Sequence, residues 1–87
     1  MNLQLSKKAH GFLETLDAKQ YRQVARKVFA LLRNPRPADS KPLRGFPFHR
    51  VDVGEYRIVY RSEPKLVKIA LIGKRNDGDV YKQLERL

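Results

Sequence analysis

The spacing of apolar residues divides the chain into a helical first half and a strand-rich second half. Leu3 and Leu5 share one face of a short run over residues 1–5, the pattern of a strand buried on one side. Ser6 follows in a helix N-cap position, ahead of Ala9, Phe12, Leu13 and Leu16 at helical spacing. Asp17 is a second cap, with Gln20 three residues on in the capping-box position. The helix it opens, about Ala18 to Arg33, carries Tyr21, Val24, Ala25, Val28, Leu31 and Leu32 as one apolar stripe. Asn34-Pro35 ends it, because proline cannot continue a helix and disfavours helical geometry in the residue before it. Residues 34–42, NPRPADSKP, are read as a rigid loop too short to separate two domains.

From Leu43 onward the period changes to two. Val51 and Val53 alternate with Arg50 and Asp52, and Tyr56, Ile58 and Tyr60 alternate with Arg57, Val59 and Arg61. A hairpin turning at Gly54-Glu55 therefore buries one face and presents Arg50, Asp52, Arg57 and Arg61 on the other. Glu63-Pro64-Lys65 is a turn signal, and the nearly all-apolar run Leu66 to Ile72 predicts a central strand covered on both faces. A turn at Asn76-Asp77-Gly78 leads to a last amphipathic stretch, Asp79 to Leu87, with Val80, Leu84 and Leu87 in helical phase. The predicted order is strand, helix, helix, three strands, short helix. This is an α+β fold in which two N-terminal helices pack on one face of a small, mainly antiparallel sheet. The opposite face stays open for function, with the C-terminal segment at its edge. Strict alternation puts Arg75 on the face of Val67, Ile69 and Leu71, under the helices, so an irregularity near Gly73 is expected to bring it onto the open face.

Composition narrows the function. There is no cysteine and there are two histidines, His10 and His49, so disulfides, thiolate zinc sites and imidazole-rich metal sites are excluded and no metal or cofactor is expected. No apolar run approaches the roughly 20 residues that span a bilayer and no leader-like segment precedes the first strand, so a cytoplasmic location without membrane association is expected. A net charge of +10, from 19 basic and 9 acidic residues, points to a polyanionic partner. On the long helix Lys19, Arg22, Arg26 and Arg33 share a sector of roughly 60°, with Phe29 beside it. Such a ridge is either a solvated face whose stems cover the core or a track for phosphates. Several guanidinium groups on adjacent strands of one sheet face repel one another and suggest an anionic ligand.

The segments LSKKA, the NP-containing loop, PLRG, GEYRIVY, GKR and DVY, in that order over essentially the whole chain, resemble the RelE toxins of the RelE/ParE toxin–antitoxin superfamily. The resemblance implies one RelE-like toxin domain over residues 1–87, belonging to a type II toxin–antitoxin system. It implies a metal-independent, ribosome-dependent mRNA endonuclease (an mRNA interferase) that inhibits translation. The implied partners are the ribosome, mRNA and a small acidic RelB-like antitoxin, with Phe29 a candidate antitoxin contact. The ParE branch shares the fold, poisons DNA gyrase and usually lacks the catalytic set.

Carried over by position, Arg50 stands where the family often has Lys or Arg. Arg57 matches the third-strand arginine, Arg75 the fourth-strand arginine and Tyr81 the C-terminal tyrosine. Where RelE enzymes place a lysine proposed as general base, this chain has Asp52, either a base in its own right or a pairing partner for Arg57. Arg22, Arg26, Arg33, Arg61 and Lys74 are expected RNA or ribosome contacts. The chemistry is consistent with these roles. Attack of a 2′-hydroxyl on the adjacent phosphate needs a proton acceptor, a donor for the leaving 5′-oxygen and cations for the phosphorane charge. Plain readings remain: surface strand arginines at Arg57 and Arg61, pairing of Arg75 with Asp77 or Asp79, and Tyr81 as a helix anchor. The competing functions are a non-catalytic, ParE-like gyrase poison of the same fold and a basic RNA-binding domain.

Overall fold

Both predicted helix caps form in a computed structural model of the chain, which describes residues 2–76 and 79–85. The Ser6 hydroxyl accepts from the Ala9 N–H at 3.0 Å, and the Asp17 carboxylate accepts from the Gln20 N–H at 2.8 Å. The elements run β1 (Asn2–Leu5), α1 (Lys7–Glu14), α2 (Ala18–Arg33), β2 (Lys41–Pro42), β3 (His49–Val53), β4 (Tyr56–Glu63), β5 (Leu66–Lys74) and α3 (Asp79–Glu85). The strands form one sheet in the order β1-β5-β4-β3-β2, parallel between β1 and β5 and antiparallel elsewhere. This is the expected α+β arrangement with one addition. The end of the proline-rich loop pairs with β3 as a two-residue edge strand, where Pro42 has no central ladder to disrupt. Among the described residues no helix is long and apolar enough to cross a membrane.

The helices and the sheet share the main core. Ala9, Leu13, Val24, Val28 and Leu31 pack against Val51, Tyr56, Ile58, Tyr60, Val67, Ile69 and Ile72. The proline-rich loop is tied down twice: the Tyr60 hydroxyl donates to the Pro35 carbonyl at 2.6 Å, and Lys27 pairs with Asp39 at 2.9 Å. Tyr21 departs from expectation, being 44% exposed. The buried stripe of α2 centres on Val24, Val28 and Leu31. At about 100° per residue Tyr21 falls roughly 50° from that centre, in the helix's first turn. Phe29 lies further round and is 59% exposed.

The predicted irregularity exists, but not at Gly73. Pairing of β4 with β5 slips between Val59↔Leu71 and Tyr60↔Ile69, which makes Ala70 the extra residue of a bulge. The Ser6 hydroxyl donates to the Ala70 carbonyl at 2.5 Å, holding the bulge from the start of α1. Ala70 and Leu71 consequently both join the cluster on the face away from α1 and α2. Beyond them the alternation is inverted, so Ile72 faces the helices and Gly73 the other side. Arg75 is thereby brought into phase with the open face, by a bulge five residues upstream of it.

That face is less open than its sequence suggests. α3 lies on it rather than at its edge, with Val80 and Leu84 packed in one cluster with Leu43, Val59, Ala70 and Leu71, bordered by Phe46, Phe48 and Tyr81. A Cβ on Gly73 would stand 2.6 Å from Val80 Cγ2, so glycine is what lets α3 approach the strand. Met1, the turn residues Asp77 and Gly78, and the helical phase of Leu87 lie outside the described residues.

Candidate active site

The hairpin turn sets the site's register. Gly54 adopts φ +57°, which glycine tolerates, and starts the turn that places Asp52 opposite Arg57. Both side chains leave the sheet on the face away from α1 and α2, since Val51, Tyr56 and Ile58 occupy the other. The Arg57 Nε donates to Asp52 Oδ1 at 2.8 Å, and Nη2 reaches Oδ2 at 3.4 Å. From the far side of the guanidinium, Nη1 donates to the Tyr81 hydroxyl at 2.6 Å. The Tyr81 ring lies 5.9 Å from Arg57 Cζ, within cation–π range. Arg57 is thus clamped between a carboxylate and a phenol, its side chain 14% exposed and that of Asp52 33% exposed. Three of its five N–H groups are engaged and two remain for a further acceptor.

The remaining cations stand around this clamp. Arg50 lies opposite Val59, on the same face of β3 as Asp52. Arg75 follows β5, anchored by its backbone N–H to the Glu55 carbonyl at 2.9 Å. The Arg50 and Arg75 side chains make no hydrogen bond or ion pair among the described residues, yet both charges are felt at Asp52. The hydrogen bond from Arg57 is the largest influence on that carboxyl and holds it below the usual aspartate value; burial opposes this, and the charges of Arg57, Arg50 and Arg75 reinforce it. Arg57 is raised above its ordinary value, first by the same hydrogen bond. Asp52 is therefore ionised, engaged and a weak base at neutral pH.

Arg50, Asp52, Arg57, Arg75 and Tyr81 come together; the other expected contacts do not join them. Lys74 pairs with Tyr56 and so alternates to the helix side. Arg61 shares the face of Arg57 but lies four residues along β4, beyond the buried Val59. Lys19, Arg22, Arg26 and Arg33 are exposed on α2, on the opposite layer of the molecule. Sequence reasoning missed Leu43, Phe46 and Phe48, which close the open face beside α3. Their phenylalanines flank Pro47, and that local irregularity conceals which face they cover.

Comparison with known proteins gives this arrangement its relatives. A mutant E. coli toxin RelE in the free state is 26% identical, with TM-score 0.79, covering 98% of this chain and 95% of that one. The toxin in the intact E. coli RelBE toxin–antitoxin complex is 27% identical, with TM-score 0.71, covering 83% of this chain and 93% of that one. A YoeB/ParE toxin from Agrobacterium tumefaciens shares the fold at 18% identity, with TM-score 0.74, over 86% of this chain and 99% of that one. No functionally curated protein matches the sequence. The family profile described as ParE toxin of type II toxin-antitoxin system, parDE, matches residues 3–78, and this chain accordingly belongs to the RelE/ParE family of type II toxin–antitoxin toxins.

Proposed function

We propose that the protein is a ribosome-dependent mRNA endonuclease that inhibits translation, acting from the RelE side of the family. The observation that carries this reading is the convergence of Arg50, Arg57, Arg75 and Tyr81 on one sheet face, with Arg57 hydrogen-bonded to Tyr81. In the proposed reaction the scissile phosphate accepts from the two free N–H groups of Arg57 and from Arg50 and Arg75. These cations stabilise the charge that builds on the phosphorane as the 2′-hydroxyl attacks and gives its proton to water, and the P–O5′ bond then breaks to leave a 2′,3′-cyclic phosphate. The Tyr81 oxygen already accepts from Arg57, so its own proton is available for the leaving 5′-oxygen. Asp52 orients Arg57 and is too strongly held by it to serve as the base. The partner in this reading is an antitoxin, as in the RelBE toxin–antitoxin complex that the fold matches, and the +10 charge of this chain calls for an acidic one.

Primer extension on ribosome-bound message tests the assignment. Wild type should cut within codons. Arg57→Ala and Arg75→Ala should each lower cleavage by about 10²–10³. Intact cleavage in both variants would show that the site is elsewhere. The engagement of Arg57 by Asp52 favours a second reading, a non-catalytic poison of the ParE type. That reading predicts DNA damage on induction and no cut message.

A further inference from the structure

Arg61 and Lys68 stand directly opposite each other on β4 and β5, facing the same side of the sheet. Like charges in such a pair repel. Lys68 has no ion pair among the described residues. Arg61 forms an ion pair with Glu63 at 3.7 Å from its Nη2, too long for a hydrogen bond. The Arg61 Nε is covered by the protein and has no acceptor, while the side chain as a whole stays 37% exposed, so a partner meets the rest of the guanidinium. Beside the two cations a cavity of about 260 Å³ opens, lined otherwise by Gln4, Leu5, Ser6, Phe48, Ile69 and Ala70. The first turn of α1 begins on its rim at Ser6 and carries no acid, so the positive helix end adds to the field. The pair is therefore a seat for an anion attached to an apolar body.

Two classes of macromolecule carry such a group, and the geometry favours protein over RNA. Val59, between Arg57 and Arg61 on β4, is fully buried in the cluster that includes Val80 and Leu84 of α3. One RNA strand would have to climb over α3 to touch both arginines. The cavity walls are largely apolar and would leave a phosphodiester poorly solvated, whereas an acidic residue beside an apolar one satisfies walls and cations together. Its volume falls just below the usual range for small-molecule sites and suits inserted side chains.

We infer that this cavity seats an acidic–apolar segment of the antitoxin. One carboxylate lies between the exposed part of the Arg61 guanidinium and the Lys68 ammonium and accepts from both, and a neighbouring apolar side chain packs on Phe48 and Ala70. The inference rests on the toxin–antitoxin reading and names the surface by which the partner is held, apart from the Arg57 site. The test is Lys68→Glu, in which the new carboxylate neutralises Arg61 from within the chain. Titration calorimetry with the cognate antitoxin, purified away from the co-expressed complex, should show affinity reduced by at least about tenfold. Growth arrest without antitoxin should persist, the unfolding midpoint should hold or rise, and Lys68→Gln should give a smaller loss of affinity. Affinity within about twofold of wild type overturns the inference. So does loss of growth arrest with antitoxin binding unchanged, which would make the cavity an RNA subsite. Failure of the wild-type protein to bind any antitoxin would sink the toxin–antitoxin reading itself.

Discussion

Gly73→Ala probes whether α3 holds the site together. The new methyl would sit 2.6 Å from Val80 Cγ2. Carbon atoms pack at about 3.5–4.0 Å, so α3 must retreat by about 1 Å. The Arg57–Tyr81 hydrogen bond, now 2.6 Å, would then stretch beyond hydrogen-bond range. Overpacking of this kind costs about 1–3 kcal/mol. Val80→Ala by itself should cost about 1–2 kcal/mol through lost burial, at about 0.8 kcal/mol per methylene-sized group. It also removes the atom that clashes. In the Val80→Ala background Gly73→Ala should therefore be neutral or slightly stabilising, since alanine loses less backbone entropy on folding. Urea unfolding followed by far-UV circular dichroism of the four proteins gives the coupling, expected to be at least about 1 kcal/mol. An equal cost of Gly73→Ala in both backgrounds would mean that α3 does not rest on Gly73, and the placement of Tyr81 would fall with it.

Asp52→Asn should retain mRNA cleavage, because a carboxylate held low by Arg57 is a poor base; a loss beyond about tenfold would make Asp52 catalytic. Its depressed value means that the pair's contribution, about 1 kcal/mol for a partly exposed ion pair, is present above the ordinary aspartate value of 3.8 and is lost as pH falls through the folded value. The stability gap between wild type and Asp52→Asn should accordingly close in acid. Burial, helped by the charge of Arg36, lowers His49 below 6.5 and keeps it neutral in the folded chain. The unfolded chain then binds the extra proton first, so stability should decline as pH drops below 6.5, and His49→Gln should flatten that part of a denaturation-midpoint profile. Replacing Arg22, Arg26 and Arg33 together by Gln should weaken co-sedimentation with ribosomes and its salt dependence without moving the cut sites; unchanged co-sedimentation would make the ridge a solvated face.

What the sequence by itself determined here is local. Ser6 and Asp17 cap helices because a side-chain oxygen two or three residues from an orphan N–H needs no distant partner. The alternation from Arg50 to Arg61 assigns Asp52 and Arg57 to one face because strand geometry has a period of two wherever pairing is regular. The tertiary structure decided what depends on distant contacts. Gly73 was the natural place for an irregularity, yet the bulge falls at Ala70, whose carbonyl is taken by Ser6 from 64 positions away. Gly73 is needed instead for its missing side chain, under Val80. The same long-range packing lays α3 on the open face, brings Tyr81 onto Arg57 and sets Arg61 apart beside a cavity. Helix caps and strand faces follow from near neighbours, whereas a bulge and a docked helix follow from which surfaces meet, and that is settled only when the whole chain packs.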